Sequence, residues 1–156
     1  MYDLAIARAI HVLSIVIWIG GVCMVTTILL PSFKRCFPIQ ERLNLFNKIE
    51  DRFAWQARFV VLLAGLSGFY MVWRLAAWDW FAHLSFWWMH AMLFVWLIFM
   101  AMLFLLEPFF LDKKIQKLSK ENPEKIYKLV QKLHWFLLIM SCTTIIGAVI
   151  GSHSYF

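Results

Sequence analysis

Five histidines, His11, His83, His90, His134 and His153, are the residues here whose type and placement could do chemistry. His11 and His90 stand inside long apolar runs, and His134 stands at the edge of another. An ionisable side chain in such a run points to function by default. Imidazole is a common axial ligand of haem iron, and the cores of helical bundles are where such groups are housed. A lone histidine in an apolar helix also serves simply as a hydrogen bond to a neighbouring helix. The three cysteines, Cys23, Cys36 and Cys142, form no C-x-x-C pair, so a disulfide or zinc site has no support. Met100 and Met102 are two apart and point in different directions on a helix, and the eight methionines read as packing.

The elements that position these histidines follow from composition. Of 156 residues, 63% are hydrophobic and only 15% charged. A soluble domain is usually about 45–50% apolar and about 25% charged. Disorder, collagen, a disulfide scaffold and an ordinary soluble enzyme are excluded, and an integral membrane protein is left. A span needs about 20 mostly apolar residues. Four segments qualify, at about 4–30, 59–78, 86–106 and 130–151. Together they predict one all-α domain over 1–156, an up-down-up-down four-helix transmembrane bundle. The last helix is expected to start earlier, because Asn122-Pro123-Glu124 reads as an N-cap, a proline at N1 and an acidic first turn. The first run is too long for a signal peptide and carries Asp3 where positive charge belongs, so it reads as a retained helix.

The net charge is +6, and its placement argues against nucleic acid. Lys34, Arg35, Arg42, Lys48, Arg52 and Arg58 lie in one connection, and Lys113, Lys114, Lys117, Lys120, Lys125, Lys128 and Lys132 in another. Both follow odd-numbered spans and so share one side, which the positive-inside rule makes cytoplasmic. The expected location is a bacterial-type inner membrane, multi-pass, with both termini and the loop at 79–85 periplasmic. Trp78, Trp80, Trp87 and Trp88 around that loop fit an interfacial aromatic belt. In the 33–55 connection, Leu43, Phe46, Ile49 and Phe53 recur at helical spacing, predicting an amphipathic helix along the inner surface.

Depth can now be assigned. At about 1.5 Å per residue, His11 lies about 10 Å below the outer boundary and His90 about 6 Å below it. Helices 1 and 3 are expected to be diagonal neighbours, so the two histidines could hold a haem b between them. Gly68 and Gly147, at comparable depths, would supply slim walls. Arg8 and Arg74, the only outer-side arginines, would pair with the propionates. Both arginines could equally snorkel to headgroups. His134 enters near the inner boundary as an interfacial residue or a second metal site, and His83 and His153 read as solvated. Small faces at Gly20-Gly21, Gly65 with Gly68, and Gly147-x-x-x-Gly151 allow close helix approach, and a homo-oligomer stays open.

Helix 1 reads Ala9-Ile10-His11, then Ile17-Trp18-Ile19-Gly20-Gly21. This H-x6-W-x-G-G pattern resembles the first span of the copper-resistance D (CopD) domain and of HemJ-type protoporphyrinogen oxidases. Leu30-Pro31, the segment from Phe46 to Phe53, and the glycine-bearing second span continue it. Trp88-Met89-His90-Ala91 resembles the Trp-x-His that opens helix 3 in the HemJ type. The resemblance covers about two-thirds of the chain. It implies b-type haem in a small membrane bundle, with His11 and His90 matching the histidines of helices 1 and 3 and Trp18 on the same wall. The HemJ type would oxidise protoporphyrinogen IX, and the CopD type would move copper across the membrane. Met92 stands where the HemJ type has lysine, and the Asn-Glu-x-Pro-like stretch near helix 4 is absent. The expected function is electron transfer or oxidation of a small substrate, with the bilayer and an unidentified redox partner as partners. Whether the chain is an enzyme stays open.

Overall fold

The computed structural model describes residues 2–105 and 121–153, apart from the side chains of Gln40 and His153. Lys113, Lys114, Lys117 and Lys120 lie outside the described residues, as does the end of the third span at 106. Among the described residues every regular element is helical. Among the described residues, four helical stretches are long and apolar enough to cross a membrane: Tyr2–Cys36, Glu41–Arg74, Leu84–Leu105 and Pro123–Ser152. The protein is an all-α, multi-pass membrane bundle.

The first crossing is built in three parts. Helix α1 (Tyr2–Met24) passes through a π-helical turn (Val25–Leu29) into α2 (Leu30–Cys36). Pro31 explains the turn. It has no N–H to donate to Thr27, and its ring would crowd that carbonyl in a regular helix. The backbone widens instead, and the Leu30 N–H donates five residues back to Val25. The hydroxyls of Thr26 and Thr27 donate to the Val22 and Cys23 carbonyls, at 2.6 and 2.8 Å.

Pro38, extended, then starts α3 (Ile39–Arg74), with Glu41 in its first turn facing the positive end of the helix dipole. The amphipathic connection is helical, as its spacing predicts, but it is not a separate surface helix. It runs unbroken into the second span. Nor does its apolar face lie on lipid. Leu43 and Phe46 pack with Val25, Leu30, Phe33, Ile126 and Tyr127 in a second core. Covering that face with protein buries it more completely than a membrane surface would.

Helix α3 ends at Leu75 and Ala76, the latter left-handed at φ 51°. Two short 3-10 turns, Ala77–Ala82 and Leu84–Phe86, form the loop, with Trp80 stacked on Phe86 at 4.8 Å. Helix α4 (Trp87–Ala101) follows, and its last described turn, 102–105, is π-helical. Helix α5 (Pro123–His153) starts as expected, with Asn122 Oδ1 accepting from the Lys125 N–H at 3.2 Å.

The main core fills the membrane layer with Trp18, Val22, Ala57, Val61, Phe99 and Leu137. The longest seam joins α1 to α3, while α1 and α4 stand diagonally, as expected for the first and third spans. Four glycines seat aromatic rings. A Cβ would meet Phe53 at Gly21, Trp96 at Gly65, Trp87 at Gly147 and Trp88 at Gly151, all within 2.6 Å. A Cβ at Gly20 would meet nothing within 4 Å.

Gly151→Ala should therefore destabilise the bundle by about 1–3 kcal/mol through overpacking. Gly20→Ala should be neutral or gain up to about 1 kcal/mol from helix propensity. Unfolding both variants side by side in detergent checks the difference.

Candidate functional site

His11 sits at the α1–α3 seam. Its Nδ1 lies 2.8 Å from the Ala64 carbonyl oxygen. A carbonyl only accepts, so Nδ1 carries the proton and Nε2 keeps its lone pair. Ser67 Oγ is 3.3 Å from the same nitrogen, and its own hydroxyl donates to Leu63 at 2.6 Å. Gly68 makes this approach possible. A Cβ there would lie 3.2 Å from the imidazole Cε1. Gly68, expected from sequence as a slim wall for a haem, here clears space for the His11 ring.

His90 is turned toward the loop. Its Nε2 lies 3.0 Å from the Phe81 carbonyl oxygen and its Nδ1 3.3 Å from that of Phe86. A neutral imidazole has one N–H and can satisfy only one of them. The Phe81 ring meets it edge-on at 5.8 Å.

The levels of the two histidines are tied by a third contact. Trp18 meets Phe99 edge-to-face, with ring centroids 4.7 Å apart. His11 is seven residues before Trp18, and His90 nine before Phe99, on parallel helices. At 1.5 Å per residue they stand within about 3 Å of one level. Trp18 is 4% exposed, and its Nε1 is enclosed with no hydrogen-bond partner among the described residues. The enclosed Ser141 hydroxyl on α5 shares that condition.

The other expected site residues have their own surroundings. Gly147 is covered by the Trp87 indole. Arg74 donates through Nε to Asp3 Oδ2 at 2.8 Å, and the Tyr70 hydroxyl donates to the same oxygen at 3.1 Å. This exposed trio clasps the N-terminal end of α1 to the C-terminal end of α3. Arg8 is exposed, as is His83. His134 donates from Nδ1 to its own Val130 carbonyl at 2.9 Å and meets Phe46 edge-on.

Two residues were not singled out from sequence. Arg58, counted with a basic connection, is half-buried and donates to the Leu103 carbonyl at 3.1 Å, inside the π-helical turn of the third span. Glu50 lines a small pocket with His134. The two basic connections do share a side, since the Arg42 guanidinium lies 5.8 Å from the Tyr127 ring centroid and 3.9 Å from Glu124. Among the described residues, no three His, Cys, Asp or Glu side chains converge as a metal-ion site.

No family model, curated protein or solved structure matches this chain. The CopD and HemJ resemblance stands on the motifs quoted above.

The His11 geometry makes a direct prediction. In the ligand-free protein, nitrogen-15 spectra should show His11 as the Nδ1-protonated tautomer. Gly68→Val, which crowds the ring, should shift that signal while leaving His134 unchanged.

Proposed function

We propose that this protein is a b-type haem protein of a bacterial-type inner membrane, serving electron transfer or the oxidation of a small substrate. The observation that carries this reading is the His11 imidazole. It sits within a span, donates through Nδ1 to a backbone carbonyl and keeps Nε2 as an acceptor. Metal-ligating histidines typically bond their second ring nitrogen this way, because it fixes the tautomer and raises ligand basicity.

His90, at the same level on the diagonal helix, is the proposed second ligand. It would exchange its Nε2 contact with the Phe81 carbonyl for the iron, keeping Nδ1 on Phe86. A bound haem would supply one-electron chemistry, with a potential set by its axial ligands, burial and hydrogen bonds. The chain's residues hold and insulate. Ala64 and Ser67 orient His11, and Trp18 packs edge-to-face on Phe99 in the core beside this level. Arg74, already on Asp3, and the exposed Arg8 mark the side from which propionates would be met. By the positive-inside rule, the basic connections support a periplasmic side for both termini and the aromatic loop.

A visible spectrum of protein purified from haem-replete cells tests the reading. The expected result is a Soret band with split α and β bands on reduction. His11→Ala should abolish it. His90→Ala should convert it to a high-spin form, and His134→Ala should leave it intact. Colourless wild-type protein would overturn the proposal.

A further inference from the structure

Two polar atoms in the middle of the bundle are enclosed without a hydrogen-bond partner among the described residues, Trp18 Nε1 on α1 and Ser141 Oγ on α5. Their residues are 4% and 2% exposed. A donor taken out of water and left unbonded costs more than a typical hydrogen bond contributes, and a bilayer core offers no bulk water to relieve it. The two groups share a level. The Tyr127 hydroxyl donates to the Leu30 carbonyl and so sets α5 against α1. Trp18 lies twelve residues before Leu30 and Ser141 fourteen after Tyr127, on antiparallel helices. At about 1.5 Å per residue they stand within about 3 Å of each other in height. Trp18 reaches the interior, where it meets Phe99 of the diagonal helix. A helical side chain leans toward its own N-terminus, which carries this indole toward Thr144, one turn beyond Ser141. Thr144 is buried on the same face of α5, and its hydroxyl donates to the Met140 carbonyl at 2.9 Å. Its oxygen therefore has only lone pairs to offer.

We propose that Trp18, Ser141 and Thr144 bind one water molecule between α1 and α5, within the membrane core. The indole N–H and the Ser141 O–H each donate to the water oxygen, and the water donates one hydrogen to Thr144 Oγ1. Three hydrogen bonds is the usual number for an internal water, and such waters serve otherwise unsatisfied buried groups. The side chains suit the task. Leu137 and Leu138 fill the core one turn before Ser141, whereas the short serine leaves room that a leucine would occupy. The water would give α1 a polar tie to α5, as His11 gives it one to α3. The site involves neither His11 nor His90, so its test stands apart from that of the haem.

The experiment uses the full chain in lipid nanodiscs, with nitrogen-15 in the tryptophan indoles and the Trp18 signal assigned by its loss in Trp18→Phe. In magic-angle-spinning spectra, magnetisation should pass from water protons to the Trp18 N–H. Trp96 is the dry control, because its Nε1 donates to the Val61 carbonyl at 3.0 Å, and the exposed Trp78 is the wet one. Ser141→Val removes the hydroxyl and fills the space, so it should abolish the Trp18 transfer and shift its nitrogen signal while Trp96 stays unchanged. No transfer to Trp18 in the wild type while Trp78 shows it, or transfer that survives Ser141→Val, would overturn the proposal. A Trp18 shift in Ser141→Val without any water transfer in the wild type means a direct bond between the two side chains, and overturns it too. Should Ser141→Val lose the Trp96 signal, and with it the fold, Thr144→Val, of nearly the same shape, decides. Diminished transfer there supports the water, and undiminished transfer overturns it.

Discussion

The seam between α1 and α3 is the contact on which the rest of the structure depends. Lipid tails are as apolar as leucine, so no hydrophobic force draws membrane helices together, and close packing must do so. On α3, Ala54, Ala57, Val61 and Ala64 recur every three or four residues, each 3% exposed or less. They form a stripe of short side chains against which α1 can lie. The seam is fastened at three heights. Asp3 clasps Arg74 and Tyr70 at the start of α1, His11 bonds Ala64 farther along, and the Phe53 ring sits on Gly21 near the other end. His11 is therefore a structural fastening whatever else it binds. The hydrogen bond that closes the seam also sets the imidazole's tautomer.

Much of this was legible in the chain before any coordinates. Span number, the start of α5 and the shared side of the basic connections follow from apolar run length, the Asn-Pro-Glu cap and charge placement. The common level of His11 and His90 follows from the regular rise of a helix. Direction around the helix axis was not legible. In a soluble helix the polar side announces the core side by contrast, but here both the lipid-facing and core-facing sides are apolar. Nothing in the sequence says that His90 turns toward the Phe81 carbonyl, or that Trp87 rather than open space covers Gly147. The Asp3–Arg74 pair, 71 residues apart in sequence, was hidden because each residue had a sufficient local explanation.

The amphipathic connection illustrates a second limit. Its periodicity shows that one face needs covering but does not say what covers it. The answer came from the far end of the chain, where Ile126 and Tyr127 on the overhang of α5 close the second core. The Tyr127 hydroxyl donates to the Leu30 carbonyl, tying that overhang to the helix just beyond the π-helical turn. Pro31 thus has effects in both directions. It widens the backbone on one side, and it opens the short helix that anchors the second core on the other.

The rings seated on α5 carry a mechanical consequence. Trp87 and Trp88 open α4 and lie over Gly147 and Gly151, near the far end of α5. No side chain at those glycines stands between ring and backbone, so the two helices cannot slide past one another without lifting an indole from its seat. The start of α4 and the end of α5 therefore keep one vertical registry. A tilt of one crossing in response to hydrophobic mismatch carries the other with it.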